Sequence, residues 1–271
     1  MMNSDSESDV SMLNQDHGVI VEPWEFKISP PFLGMKVCVA LTAYNDSEAI
    51  YHSVKEFIAQ RNVVKVIVVD NNSRDGTAER AKAAGAEVVH EKRQGYGYAC
   101  IRGLREALKC DEADVVVLAE GDMTFSGRDI YKMLPFLEDV DMVVGSRTHI
   151  QLVEPGSQMD WFYIWGNLFL AKVLQFKFLS LESLGKVRFT DVGCTMRAIR
   201  KDALRRIIDK LYVGDHYFSP HMIMVALKNG LKVLEVPITF RRRVGESKGA
   251  GGNKSLALKV GLKMLWHILT Y

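Results

Sequence analysis

Residues Val115–Phe125 read VVVLAEGDMTF. Four apolar residues, Val115 to Leu118, lead through Ala119 into two carboxylates, Glu120 and Asp122, with only Gly121 between them. A continuous apolar run of this length, ended by a turn signal, predicts a buried strand of a parallel sheet. Open parallel sheets bind their ligands just past the carboxyl ends of the strands. An acid-Gly-acid step there sets two negative groups where a divalent cation could sit, with room for a diphosphate above the small residue. The same letters also describe an ordinary strand that ends in a polar loop.

The chain has 271 residues, 48% hydrophobic and 25% charged, which is ordinary globular usage and enough for a substantial core. Its net charge of +2, from 35 basic and 33 acidic residues, speaks against a general nucleic-acid binder. Cys38, Cys100, Cys110 and Cys194 are widely spaced, so neither a zinc site nor a disulfide framework is implied. Reduced thiols and a cytoplasmic location are the simple expectation. Residues 1–17 are polar and acidic, unlike a signal peptide. No stretch of about 18 uninterrupted apolar residues predicts a spanning helix.

Working outward from 115–125, residues 1–33 read as a disordered or extended tail, broken by Pro23, Pro30 and Pro31. Strands are predicted over 37–44, 63–70, 86–91, 115–120 and 141–147. Helices are predicted over 46–60, capped by Asp46 or Ser47, and over 77–84, 98–108 and 130–137. Strands alternating with helices imply crossover units and a parallel sheet. Beyond Arg147 the regularity fades. The aromatic stretch 159–181 predicts one or two amphipathic helices, 189–207 a strand-like piece running into a helix, and 217–229 a helix. The strand over 231–243 carries Pro237, which predicts an edge or bulged position. A final helix covers 256–270.

The loops after the strands carry the candidate chemistry. Thr42, Tyr44 and Asn45 follow the first strand, where small polar groups can receive a base and ribose or simply cap a helix. Asp70 ends the second and could accept hydrogen bonds from a base or ribose hydroxyl. Ser73, Asp75 and Thr77 are ordinary turn and cap residues. Gln94-Gly95-Tyr96-Gly97 opens a helix, and its glycines permit close backbone approach while a helix N-terminus favours anions.

Taken together, TAYN (42–45), VVDNNSRDGT (68–77), RQGYGYACIRG (93–103) and AEGD (119–122) resemble glycosyltransferase family 2, the inverting GT-A transferases, in order and spacing. The resemblance covers about two-fifths of the chain. It implies a GT-A (Rossmann-like) α/β fold, a mostly parallel sheet flanked by helices, and a nucleotide-sugar donor. Thr42, Tyr44, Asn45, Asp70 and Asn72 would line the nucleoside pocket, with Gln94, Gly95, Glu120 and Gly121 beside the nucleotide. Asn71 departs from the family, which often has a second acid there. Asp122 becomes the expected ligand of Mg²⁺ or Mn²⁺, ions that suit oxygen donors and bridge a diphosphate. Glu120 stands where most relatives have Asp, as the second metal candidate. Thr124 replaces an amide that often helps hold the metal.

Further motifs resemble the dolichyl-phosphate mannose synthase-like branch: Gly145-Ser146-Arg147, Trp165-Gly166-Asn167, Asp191-Val192-Gly193-Cys194, Glu235-Val236-Pro237 and Arg242-Arg243-Val244-Gly245-Glu246-Ser247-Lys248. They imply transfer of a hexose from a UDP- or GDP-sugar to a polyprenyl phosphate, with Arg147, Arg242, Ser247 and Lys248 as phosphate clamps and Arg147, Asp122 and Asp191 as the catalytic set. Asp191 would sit under the donor sugar and would serve as base if the acceptor were a hydroxyl, with Asp215 or His216 next. Residues 34–253 form the expected catalytic domain, divided at 147/148 into a nucleotide-sugar half and an acceptor half. The helix over 254–271 and the stretch 159–181 would contact a membrane face. Two alternatives stay open: a soluble transferase acting on a small-molecule or glycan hydroxyl, and a non-catalytic nucleotide-sugar binding or scaffold protein.

Overall fold

The computed structural model describes residues 34–179, 187–245 and 253–271. The expected tail over 1–33 lies outside them, as do Ser247 and Lys248. Seven strands build one sheet: β1 (Val37–Ala43), β2 (Val63–Asp70), β3 (Glu87–His90), β4 (Val115–Glu120), β5 (Met142–Ser146), β6 (Arg197–Arg200) and β7 (Val233–Pro237). Their spatial order is β3-β2-β1-β4-β6-β5-β7. All neighbours run parallel except β6, which is antiparallel to both β4 and β5. Pro237 ends the edge strand β7, where its missing N–H costs no ladder bond.

Helices cover both faces because the strand residues alternate between two cores. Val37, Val39 and Leu41 of β1 pack with Ile50, Val54 and Phe57 of α1 (Ser47–Ile58), with α2 (Thr77–Ala83) and with the short α4 (Ile130–Met133). Cys38 and Ala40 of the same strand pack on the other face with α3 (Tyr96–Ala107), α6 (Lys201–Ile207) and α7 (Phe218–Lys228). Burying a side chain such as Phe57 contributes roughly 1.5–3 kcal/mol. All four cysteines are buried free thiols. Two long helices, α5 (Trp161–Lys177) and α8 (Lys254–Thr270), pack on one another over the second core. Asp160 caps α5, accepting from Phe162 N at 2.9 Å. No described helix is long and apolar enough to cross a membrane.

The register brings the strand tips to one edge. Thr42 pairs with Glu120, Ala43 with Asp70, and Asp70 with His90. Because β6 runs the other way, the segment entering it, Cys194–Met196, reaches that same edge from far along the chain. Two local expectations are corrected. The helix over 130–137 is a single α turn between 3-10 turns, since Pro135 has no N–H to continue it. Asp46 occupies the N-cap position of α1 but its side chain does not cap it. That carboxylate points away, into the cavity described next.

Candidate active site

A cavity of about 570 Å³ opens at the carboxyl edge of the sheet. Its floor is polar: Asp46, Glu120, Asp122, Arg147 and Arg243. Its far wall is apolar, made by Phe162, Phe169 and Leu170 of α5 and by Leu258, Leu262 and Leu265 of α8. Thr42, Tyr44, Gln94 and Gly95 line the side nearest β1 and β2.

Asp122 follows directly from the end of β4. Met123 behind it holds φ at +69°, a left-handed backbone rare for a side chain of this kind. That sharp turn lets Asp122 Oδ1 accept from Thr124 N at 3.0 Å and from Thr124 Oγ1 at 2.5 Å. Its other oxygen, Oδ2, accepts from Arg243 Nη1 at 2.5 Å, and Arg243 Nη2 donates to Asp46 Oδ1 at 2.5 Å. One guanidinium thus bridges two nearly buried carboxylates. Burial works against the Arg243 charge, but Asp122 and Asp46 outweigh it and raise its pKa above the ordinary arginine value. The same burial pushes the Asp46 carboxyl up while Arg243 pulls it back.

Glu120 accepts from Thr195 Oγ1 at 2.5 Å, and Thr195 in turn takes a 2.5 Å hydrogen bond from Tyr96 OH. Burial first, and the neighbouring Asp122 charge second, push Glu120 up to about 7. Beneath Thr195 lies a fully buried guanidinium, Arg197, which donates to the Thr195, Ser219 and Cys194 carbonyls and so fixes that turn.

Arg147 leaves the tip of β5 and meets Asp191 in a forked pair, Nε to Oδ2 at 2.7 Å and Nη2 to Oδ1 at 3.0 Å. Arg147 N and Gly193 N also donate to that carboxylate. Asp191 is fully buried behind Arg147 and does not line the cavity. With both oxygens taken by an arginine and two amides, it has the geometry of a group that aims Arg147, and the expected base role lacks an exposed lone pair. Asn167 of α5 closes this side, accepting from Gly193 N at 3.2 Å. His216 stacks on Tyr96 at the rim.

Several predicted residues stand elsewhere. Asp70 pairs with His90 Nδ1 at 2.9 Å and accepts from Ser73 N, below the cavity. Asn45 and Asn72 adopt left-handed backbones (φ +52° and +65°), which asparagine tolerates. The Asn45 side chain accepts from Arg74 N and that of Asn72 donates to Lys92 O, so both serve their loops. Asn71, the family departure, lines the cavity, and its amide ties Glu91 O, Arg93 O and Gly95 N together. Gly121 is small for a packing reason: a Cβ there would run into Ile50 Cδ1 of α1 rather than into the space for a diphosphate. A Cβ at Gly95 or Gly97 would strike the backbone of Val213 and Gly214, so this close approach is internal.

Arg242 is the clearest displacement. Its side chain turns outward to Pro155 O at 2.5 Å and is 61% exposed. Arg241 grips Glu56 with two hydrogen bonds. It is Arg243 that enters the cavity, a residue quoted within a motif in the sequence but given no role. The run of three arginines signalled a clamp without revealing which of the three faces inward.

Whether this donor set suits a divalent cation can be judged from its atoms. Among the described residues no three His, Cys, Asp or Glu side chains stand ready as a cage. Even so, Asp46, Glu120 and Asp122 are carboxylates that line one cavity floor, and an oxygen of Asp46 and one of Asp122 already share one cation, the Arg243 guanidinium. Hard oxygen donors around a positive charge fit Mg²⁺ or Mn²⁺.

Comparison with known proteins gives a consistent outcome. The profile of the glycosyl transferase family 2 matches residues 38–208. The undecaprenyl-phosphate mannosyltransferase of Micrococcus luteus is 29% identical over 231 residues, covering 80% of this chain and 89% of its own. A dolichyl-phosphate hexose transferase of Haloferax volcanii is 26% identical, covering 78% and 86%. The polyprenol monophosphomannose synthase of Mycolicibacterium smegmatis is 27% identical, covering 80% and 82%. Among solved structures, glucosyl-3-phosphoglycerate synthase from Mycobacterium tuberculosis, in complex with Mn²⁺ and UDP-glucose, superposes with a TM-score of 0.61 at 19% identity, covering 87% of this chain and 79% of its own.

Proposed function

The chain belongs to glycosyl transferase family 2, and from that premise we propose that this glycosyltransferase moves a hexose from a UDP- or GDP-sugar to a polyprenyl phosphate. The observation that carries the reading is the two-sided cavity, with a charged floor at the strand tips and an apolar wall of α5 and α8. A phosphate on a long hydrocarbon chain matches both sides at once, whereas a sugar hydroxyl acceptor would leave the apolar wall without a partner. The relatives named above as acting on undecaprenyl and dolichyl phosphates support the same acceptor class.

In this reading residues 34–147 hold the donor, and Arg147, at the boundary, joins residues 148–253 around the acceptor. Thr42, Tyr44, Gln94 and Asn71 receive the nucleoside end. Asp122, with Glu120 beside it, holds the cation, Mg²⁺ or Mn²⁺. When bound, such an ion offsets charge on the departing diphosphate. Arg147, aimed by Asp191 and backed by the Phe240 ring at 5.3 Å, grips the acceptor phosphate. That phosphate is already ionised near neutral pH, so no strong general base is needed. Its oxygen forms the new bond to the anomeric carbon as the bond to the diphosphate breaks, and the diphosphate leaves with the electron pair. Attack in line inverts the anomeric centre. The protein contributes positioning and preorganised charge.

The outer sides of α5 and α8 support work at a membrane face. Trp161 is 68% exposed, Trp165 67% and Trp266 71%, with Lys172, Lys254 and Lys263 on the same two helices. Aromatic rings with lysines around them suit the headgroup layer. The test is to incubate the protein with a panel of UDP- and GDP-hexoses, Mn²⁺ or Mg²⁺, and a short polyprenyl phosphate, and to extract the lipid. A lipid-linked sugar is expected. No product with any lipid, together with turnover on a soluble hydroxyl acceptor, would overturn the acceptor assignment.

A further inference from the structure

Behind the Arg147–Asp191 fork stands another carboxylate, Glu235, on the edge strand β7. Glu235 pairs in register with Val144 of β5, the strand whose tip carries Arg147. Its Oε1 accepts from Thr190 N at 2.9 Å and from Asp191 N at 2.7 Å. Its Oε2 accepts from Thr190 N at 2.8 Å and from Thr190 Oγ1 at 2.8 Å. All of these donors belong to the Thr190–Asp191 turn. Burial holds the Glu235 carboxyl above the usual carboxylate range, although the Thr190 and Asp191 amides pull it down. A second acid so close to Asp191 carries an electrostatic cost, which those donors offset. The Thr190 hydroxyl gives its one proton to Glu235, so toward Ser146 Oγ at 2.8 Å and Thr148 Oγ1 at 2.7 Å it can only accept. Ser146 and Thr148 flank Arg147 in the chain. Arg147 is thus bracketed by two hydroxyls that Glu235 orients through Thr190, and forked by an acid whose own amide Glu235 holds.

We infer that Glu235 is a positioning residue for Arg147: it fixes the Thr190–Asp191 turn, and through Asp191 and the hydroxyls of Ser146, Thr148 and Thr190 it sets where the acceptor-phosphate guanidinium points. The inference rests on the acceptor reading above and adds the residue that aims the clamp. Glu235 does not line the cavity, so it acts through Arg147. Arg147 already has a full counter-charge in Asp191, so Glu235 is not needed to neutralise it. What Glu235 supplies is geometry. The fork to Asp191 uses N–H groups on Nε and Nη2, which leaves the outer edge of the guanidinium for phosphate oxygens. A tilt of Asp191 would swing that planar edge away from the cavity. The surroundings leave little slack to absorb such a tilt. A Cβ at Gly193 would come to 2.7 Å from Asn167 Oδ1 and 3.1 Å from Arg147 Nη2. Small misplacement of a positioning group is costly, up to about a hundred-fold in rate.

The experiment measures sugar transfer to a short polyprenyl phosphate, with KM for lipid and for sugar donor, and the melting temperature of each protein. It compares the wild type, Glu235→Gln, Thr190→Val, Arg147→Lys and the double variant Glu235→Gln/Arg147→Lys. Glu235→Gln keeps the size but turns an NH₂ group toward a turn that only donates. It is expected to raise the lipid KM about ten-fold and to leave the donor KM within about two-fold. Thr190→Val removes only the hydroxyl node, with an expected rise in lipid KM of about three-fold, and carries the test if Glu235→Gln does not fold. Arg147→Lys keeps the charge but cannot fork to Asp191. Adding Glu235→Gln to it should raise the lipid KM by less than about two-fold further, because the residue acts through the lost fork. A merely structural Glu235 would lower the melting temperature while moving both KM values alike or neither, and its effect would multiply with that of Arg147→Lys. Either result overturns the inference. If the wild type makes lipid-linked sugar while the variants behave in that way, this inference alone is lost. If the wild type makes none with any donor, the acceptor reading falls and takes this inference with it.

Discussion

The Arg147–Asp191 pair offers the most exacting test of the site. Asp191 is fully buried, Arg147 is 13% exposed, and the contact is two-pronged at 2.7 and 3.0 Å. Two charges about 4 Å apart attract by ~4 kcal/mol at an effective dielectric near 20. Removing one partner leaves the other buried and unpaired, which costs about 3–5 kcal/mol. At about 2–4 °C per kcal/mol for a chain of this size, either Arg147→Met or Asp191→Asn should lower the melting temperature by roughly 6–20 °C. The double variant should lose far less than the sum, with a coupling energy of ~2–3 kcal/mol from urea unfolding of all four proteins. Losses that add to within ~0.5 kcal/mol would refute the pairing argument. So would an Asp191→Asn protein of wild-type stability whose turnover has lost the acidic limb of its pH profile, because a general base must be deprotonated to act and its loss removes that limb.

Three further outcomes follow from the geometry. Glu120 ordinarily titrates near 4.5 and is raised in the fold to about 7, so the native state binds the extra proton. Stability of the metal-free protein should therefore fall as pH rises from about 4.5 to 7, and Glu120→Gln should flatten that slope by ~1–3 kcal/mol in denaturant titrations across the window. Gly121→Ala, forced against Ile50, should cost ~1–3 kcal/mol of stability, and an unchanged midpoint would show that α1 can retreat. Arg241→Ala breaks the fork to Glu56 and should destabilise by ~1–2 kcal/mol, whereas Arg242→Ala should stay within about 0.5 kcal/mol in the same unfolding assay.

Long apolar runs were legible in the sequence because burial on both faces leaves a continuous signal. The strand over 115–120 is found at those residues, and that over 63–70 likewise. Strand β6 was not legible as a sheet member. It is four residues long, begins and ends in arginine, and takes its place between β4 and β5 only through tertiary pairing. At the site, the residue types pointed to the right edge of the sheet but not to each role. Asp46 looks like a helix cap in one dimension, and only the fold reveals that Arg243, nearly two hundred positions later, draws its carboxylate away. Asp70, Asn45 and Asn72 carry the letters of a binding loop while their side chains hold that loop's own backbone. Thr195 and Arg197 gave no local signal, because their importance depends on the antiparallel strand that brings them beneath Glu120.

The three arginines at 241–243 each meet a different carboxylate: Glu56, then Glu154, then the Asp46–Asp122 pair. Such a row is a form of insurance against misalignment. Were the segment to advance by one residue, Arg242 would arrive at the Asp46–Asp122 station and Arg241 at Glu154, with Phe240 left opposite Glu56, so the positive charge of the cavity would survive. A lone arginine between neutral neighbours would make the same position brittle. Repetition here confers tolerance to an advance of the segment toward the cavity, though not to a retreat, which would bring Val244 there instead.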